Sequence, residues 1–194
     1  QALSGVLHDL RTPMTVISGY VQLMVGEESR TERDENGTVI RQQITRMNDM
    51  VRELLAFARG DVTLLLQKHA LTDFVESMRT TLEHEAASAS IRLVLETRDR
   101  GMATFDSAKL SRCIQNLVRN AKDALQQTEH PEIIIRVDGD TNSWSIVVQD
   151  NGPGIPVEVQ DTLFEEFVTF GKTNGTGLGL SIVSKMVQEH GGTI

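Results

Sequence analysis

One cysteine in 194 residues, Cys113, excludes an internal disulfide and any zinc site built on several thiolates, and it suits a reducing compartment. Aromatic residues make up only 4% of the chain, so an apolar core has to be aliphatic and rich in methionine. No run approaches the ~20 apolar residues of a membrane span, and the N-terminus lacks the charged-then-apolar layout of a signal peptide. Basic residues are outnumbered, 19 against 27 acidic, giving a net charge of −8. No basic stretch could neutralise a row of phosphates, and nucleic acid is not an expected partner. What is present, 39% hydrophobic and 24% charged residues, is the composition of a folded chain, long enough for one large domain or two small ones.

The first segment carries apolar residues at Leu3, Leu7, Leu10, Met14, Ile17, Val21 and Met24, alternating four and three apart. That is a heptad seam. A second seam runs through Ile40, Ile44, Met47, Val51, Leu54 and Ala58, after a polar break from about Gly26 to Gly37. Two such helices make an antiparallel hairpin, which cannot enclose its own stripe; two hairpins can, as a four-helix bundle. From the seams alone, a stalk or dimerisation coiled coil without chemistry is the favoured reading.

After Asp61 the pattern turns to strand-like and helix-like pieces, which predicts a boundary near residues 60 to 68. Strands are expected from Val62 to Gln67, Ile91 to Glu96 and Met102 to Phe105, with a helix from Thr72 to Ala87 and a longer one from Ser107 to Gln126 capped by Asp106. Ile133, Ile135 and Val137 alternate with polar neighbours, as do Trp144, Ile146 and Val148, so these are adjacent strands of one sheet. A final helix is expected from Gly177 to His190. The order implies an α+β sandwich with helices layered on one face of a sheet. The closing Gly191-Gly192-Thr193-Ile194 reads as the start of a strand, and the chain as a piece of a longer one.

Two glycine-bearing segments flank one stretch of about twenty residues. Asp150-Asn151-Gly152-Pro153-Gly154-Ile155-Pro156 follows a strand, where Asp150 could accept from the exocyclic amine of adenine while the glycines let backbone approach the ring; it is equally good turn chemistry. Gly175-Thr176-Gly177-Leu178-Gly179 opens a helix whose N–H groups could hold a phosphate. Neither standard phosphate motif fits: a P-loop ending at Gly171-Lys172-Thr173 would need glycine where Glu166 stands, and the dinucleotide fingerprint would need one where Leu180 stands. His84-Glu85 is no zinc-protease helix, because Ser88 occupies the second histidine position.

On the helix from Ser107, with Leu110, Ile114, Leu117, Ala121 and Leu125 as its buried stripe, Asn116, Asn120 and Asp123 share a neighbouring face flanked by Arg119 and Lys122. Two carboxamide oxygens and a carboxylate one turn apart suit Mg²⁺ shared with phosphates, or else form a solvated face. His8 stands one residue past a seam position and should project into water, with Asp9 beside it and Thr12 one turn on; Pro13 should bend the helix there. An exposed imidazole with a neighbouring carboxylate has the makings of a nucleophile.

In this order the segments resemble the catalytic core of a sensor histidine kinase of a bacterial two-component system, over nearly the whole chain. His8-Asp9-Leu10-Arg11-Thr12-Pro13 is similar to the family's H box, Asn116-Leu117-Val118-Arg119-Asn120-Ala121 to its N box, and Asp150 through Pro156 to its G1 box. Leu163-Phe164-Glu165-Glu166-Phe167 resembles the F box and Gly175 through Leu180 the G2 box.

The resemblance implies an all-α hairpin over residues 1–61, forming a dimeric four-helix bundle for dimerisation and histidine phosphotransfer. It further implies an α+β sandwich over 62–194 of the histidine kinase, chaperone and topoisomerase type, its closing strands missing. His8 would take the γ-phosphate of ATP, with Asp9 as general base, and Thr12 would help orient water in a phosphatase reaction. Asn120, with Asn116 beside it, would bind Mg²⁺, and Asp150 would select adenine. Residues 151–176 would form a lid packed down by Phe164 and Phe167, with Lys172 reaching the phosphates. Arg119, Lys122, Asp123, Gly152, Gly154 and Ile155 count among the nucleotide-binding residues, as do Gly175, Thr176, Gly177, Leu178, Gly179 and Leu180. The implied partners are a second copy of the chain and a response-regulator receiver domain that takes the phosphoryl group onto an aspartate. The segment itself would be cytoplasmic and touch no membrane, in a full-length protein that can carry a membrane-spanning sensor. The segment near residues 60 to 68 would hinge between two arrangements of the domains. Two rivals are an ATPase of the same superfamily, for which α-helical Asp123 stands where a catalytic glutamate is needed, and a non-catalytic dimeric scaffold.

Overall fold

The computed structural model describes residues 2–27, 29–58, 63–97, 101–139, 143–168 and 177–194, without the side chains of 2–9, 49, 52–54 and 56–58. The chain forms two compact units, Gln1–Val62 with Glu165–Leu178, and Thr63–Phe164 with Gly179–Ile194. Among the described residues no helix is long and apolar enough to cross a membrane.

The first unit holds a pair of helices, α1 (Ala2–Met24) and α2 (Arg30–Ala58), packed along each other. Helix α2 begins well before the second seam: Arg30, Glu32, Arg33, Glu35 and Arg41 are good helix formers that need no apolar face while they stay in water. The connector is correspondingly shorter than the polar break suggested. Helix α1 runs through Pro13, whose ring is fully buried, and Thr15 Oγ donates to the Arg11 carbonyl at 3.0 Å.

Among the described side chains each seam divides into two sets. Leu10, Ile17 and Met24 of α1 and Ile40 and Met47 of α2 are half-buried, whereas Met14 (57% exposed), Val21 (47%), Ile44 (47%) and Val51 (43%) stay open to solvent. The open residues on each helix are seven apart, the repeat of a coiled-coil stripe.

The second unit is the α+β sandwich. Strands β2 (Arg92–Thr97), β4 (Glu132–Gly139) and β5 (Trp144–Asp150) form a sheet in the order β2-β4-β5, with β2 parallel and β5 antiparallel to β4. A separate antiparallel pair joins β1 (Gln67–Ala70) to β3 (Met102–Phe105). Helices α3 (Leu71–Ala87), α4 (Ser107–Ala124) and α6 (Gly179–Glu189) share one core with the alternate residues Ile133, Ile135 and Val137 of β4. A short helix α5 (Val157–Gln160) follows β5. Phe105 sits at 0% exposure with Phe74, His69 and Trp144 around it, ring centroids 4.9 to 5.0 Å away.

Several boundaries differ from the sequence reading, each for a local reason. The strand expected over 62–67 starts only at Gln67: Leu65 is exposed and spends its N–H on Asp106 Oδ2 at 3.0 Å instead of on a ladder, and Val62 lies outside the described residues. Helix α4 ends at Ala124, two residues early, with Leu125 buried in the turn that follows. Its buried stripe includes Cys113 and Val118, and Leu117 is half-buried. Helix α6 starts at Gly179, since Gly177 adopts a left-handed φ of +66°. Residues 192–194 join no strand.

Asp106 is the junction that fixes α4. One carboxylate oxygen caps the helix by accepting from Lys109 N at 3.1 Å, the other accepts from Leu65 N, and its own N–H is donated to His190 Nε2 at 3.1 Å. His190 Nδ1 lies 2.7 Å from the Met186 carbonyl, so a proton on Nδ1 satisfies both ring nitrogens. Lys109 Nζ pairs with Glu189 Oε2 at 3.0 Å beside it. The start of α4, the end of α6 and the segment entering β1 therefore meet at one side chain.

Burial alone would raise the Asp106 carboxyl, but the N–H groups of Lys109 and Leu65 and the Lys109 ammonium outweigh it and hold the group below its ordinary value. A depressed folded-state pKa gives stability that is complete above the unfolded value of about 4 and lost as pH falls through the folded one. Replacing Asp106 by Ala is expected to cost about 2 kcal/mol in chemical denaturation at neutral pH, from the lost cap and the lost Leu65 bond. Asp106→Asn is expected to flatten the loss of stability that the wild type shows below about pH 4.

Candidate functional site

The polar face of α4 is the centre of the candidate site. Asn116 is 7% exposed, and its carbonyl oxygen accepts from Arg119 Nη2 at 3.0 Å. Its amide nitrogen is buried and has no hydrogen-bond partner among the described residues. A buried unsatisfied donor costs about 1–3 kcal/mol, which an incoming acceptor can remove. Asn120 and Asp123 lie one and two turns further along the same face, both half-buried. Lys122 points to the α3 side, its Nζ 3.3 Å from Ser88 Oγ. On the core side of the helix burial pushes the Cys113 thiol up to about 11, which removes it from thiolate chemistry at neutral pH.

Both ends of this face are bracketed. At the C-terminal end, the turn after β5 comes against Ala124: a Cβ on Gly152 would stand 3.5 Å from the Ala124 carbonyl and 2.8 Å from Asp150 Oδ1. Only glycine fits there without displacing the carboxylate, which accepts from Gly152 N at 2.9 Å. Asp150 is exposed at the end of β5, so one oxygen is anchored in the turn and the carboxylate faces solvent. Gly154 and Ile155 are exposed beyond it. Towards the N-terminal end, the start of α6 approaches α4, with a Cβ on Gly179 placed 3.6 Å from Arg119 Nη2. Leu180 follows in the first turn of α6, half-buried, and Phe164 is half-buried ahead of it in the chain.

In the other unit, Phe167 and Gly177 close the base of the segment between them. Phe167 N donates to the Gly177 carbonyl at 3.0 Å, and both residues have a φ of +66°. Leu178 is completely buried. Lys172, Gly175 and Thr176 lie outside the described residues. His8 and Asp9 are on α1 with side chains outside the description, and Thr12 is exposed on the same helix.

Two family models match the chain in tandem: the His Kinase A (phospho-acceptor) domain over residues 1–62, and the histidine kinase-, DNA gyrase B- and HSP90-like ATPase over residues 105–194. The chain belongs to the sensor histidine kinases. The signal transduction histidine-protein kinase AtoS of Escherichia coli is 28% identical over 195 residues, covering 100% of this chain and 32% of AtoS. The sensor protein SrrB of Staphylococcus aureus is 28% identical over 204 residues, covering 99% of this chain and 34% of SrrB. This histidine kinase chain thus spans about a third of the length of the curated relatives it matches. The structure of the histidine kinase ThkA in complex with the response regulator TrrA has the same fold, with a TM-score of 0.79 at 23% identity over 98% of this chain and 55% of that one.

An ATPase domain implies ATP, and the residues present suit it: a buried unpaired donor at Asn116, guanidinium nitrogen at Arg119 and a fixed carboxylate at Asp150. The Asn116 oxygen accepts from Arg119 and keeps a second lone pair, and the amide beside it is a donor suited to a phosphate oxygen. Among the described residues no group of three or more His, Cys, Asp and Glu side chains could hold a metal ion. Sequence reasoning placed Asn151 in the turn and at the start of the lid, and missed that its side chain holds the start of β4; Asn before Gly reads simply as a turn.

Gly177→Ala would set a Cβ 2.4 Å from the Phe167 carbonyl carbon, a clash with backbone that cannot be relieved by a rotamer. The expected result is loss of hydrogen-exchange protection at the Phe167 amide, together with at least about tenfold weaker ATP binding, since an L-residue is strained at this φ as well.

Proposed function

We propose that the chain is an ATP-dependent protein histidine autokinase that phosphorylates His8 and passes the phosphoryl group to an aspartate of a response-regulator receiver domain. The observation that carries this is the α4 face, with its unpaired Asn116 amide between the Asp150 turn and the start of α6, in a chain whose first helix bears His8-Asp9-Leu10-Arg11-Thr12-Pro13. The solved complex of ThkA with TrrA supports a receiver as partner. The division of labour is a phosphoacceptor hairpin over residues 1–61 and an ATP-binding domain over 62–194.

Adenine is selected by Asp150, which accepts from the exocyclic amine, and the phosphates extend along α4 towards the start of α6. Asn116 donates to a phosphate oxygen and Arg119 adds positive charge beside it, while Asn120, with Asn116 beside it, would hold Mg²⁺. That cation would supply positive charge next to the transferring phosphoryl group. Phe164 and Phe167 pack the lid, Lys172 meets the phosphates, and Gly175 to Leu180 supply backbone N–H groups. His8 attacks the γ-phosphorus: an N–P bond forms, the bond to the β,γ-bridging oxygen breaks, ADP leaves and Asp9 takes the imidazole proton. In the second step the N–P bond breaks as the receiver carboxylate oxygen bonds phosphorus. Thr12, exposed one turn from His8, orients water for the reverse duty of dephosphorylating the receiver.

The active form is a dimer. Met14, Val21, Ile44 and Val51 form open stripes that water cannot stabilise and that a second hairpin can cover as a four-helix bundle. The segment works on the cytoplasmic side of a sensor.

With Mg²⁺ and γ-labelled ATP the wild type is expected to carry label that is acid-labile and base-stable, and His8→Gln none; equal labelling of both would overturn the assignment of His8. The double substitution Ile44→Glu, Val51→Glu is expected to convert the sedimenting species from dimer to monomer without loss of helix signal, because charges cannot be buried unpaired at the bundle seam.

A further inference from the structure

The final rung of the β4–β5 ladder is built unusually. In register, Ile133 faces Asp150, so Glu132 and Asn151 would form the next pair. Asn151 N donates to the Glu132 carbonyl at 3.3 Å, as a strand residue would. The return bond is different: Glu132 N donates at 2.8 Å to the side-chain Oδ1 of Asn151. The Asn151 amide, Nδ2, then donates to the carbonyl of His130 at 3.0 Å, a residue with a left-handed φ of +52°. Pro131, between them, has no N–H, and its carbonyl accepts from Arg92 N of β2 at 2.9 Å.

The Asn151 carboxamide therefore stands in for a strand carbonyl. Glu132 keeps a partner for its N–H while the Asn151 backbone carbonyl is released from the ladder, and the chain can leave the sheet immediately after Asp150 into Gly152-Pro153-Gly154. Asp150 ends up between two anchors, with the Asn151 clamp behind it and its own Oδ1 held by Gly152 N. We propose that Asn151 is the positioning residue for Asp150: its carboxamide clamp on residues 130–132 fixes the carboxylate against the nucleotide's 6-amino group and so sets base discrimination. This rests on the reading of Asp150 as the adenine acceptor.

The test measures, with Mg²⁺ present, the affinity of the full chain for ATP and for purine riboside triphosphate, which lacks the 6-amino group. Asn151→Ala is expected to weaken ATP about tenfold, the scale of a charge-assisted hydrogen bond, and the amine-free analogue less than about twofold. Asn151→Asp keeps an acceptor for Glu132 N but loses the donor to His130, and is expected to fall between; it is read by the same criteria if the alanine variant does not fold. Adding Asn151→Ala to Asp150→Ala is expected to change ATP affinity no further. Equal weakening of both nucleotides, or of neither, in the single Asn151 variants would overturn the positioning role while leaving Asp150 as acceptor. If Asp150→Ala itself keeps the preference for ATP over the analogue, the adenine assignment fails and the proposal with it.

Discussion

Leu110, Ile114, Val118 and Ala121 are sealed into the core of the sandwich on the same four turns of α4 that present Asn116, Asn120 and Asp123. That double duty constrains the rest of the unit. The helix has to be held at a fixed height, which the Asp106 junction does at its first turn, and at a fixed rotation, which Ile133, Ile135 and Val137 do from below. With both set, the polar face meets the Asp150 turn at Ala124 and the start of α6 at Arg119. The buried, unpaired Asn116 amide is tolerable in such a site because a ligand oxygen can satisfy it, and the stability lost in its absence is regained on binding.

The hairpin obeys a different constraint. A 3-4 seam on each of two helices offers more apolar surface than one partner can cover, and the division into half-buried and open sets is the geometric outcome. The packing within one hairpin therefore leaves Met14, Val21, Ile44 and Val51 open to solvent. Thr12 is exposed on the same helix as Met14.

Much of this was legible from spacing. The β3 strand and the Asp106 cap stand where the sequence puts them, and α3 differs by one residue, because alternation and capping are local properties. What spacing could not resolve depended on partners far along the chain. Leu64, Leu65 and Leu66 look like a strand, yet Leu65 is drawn to Asp106, 41 residues away. The polar first turns of α2 have no periodicity to detect, since they bury little. The candidate site was legible as residue types in order, but not the orientation of Asn116, which Arg119 decides, nor the clamp at Asn151, which exists only because β4 begins beside it.

The most direct test of the account follows the side-chain amide resonances of Asn116 and Asn120 by NMR while Mg²⁺ and a non-hydrolysable ATP analogue are added. The account predicts that both move, with Asn116 shifting as its buried amide gains an acceptor, alongside the backbone amides of Gly152 and Gly179 at the two ends of the face. Saturable binding of the analogue that leaves Asn116 and Asn120 unmoved would contradict it, because the nucleotide would then lie elsewhere than on α4.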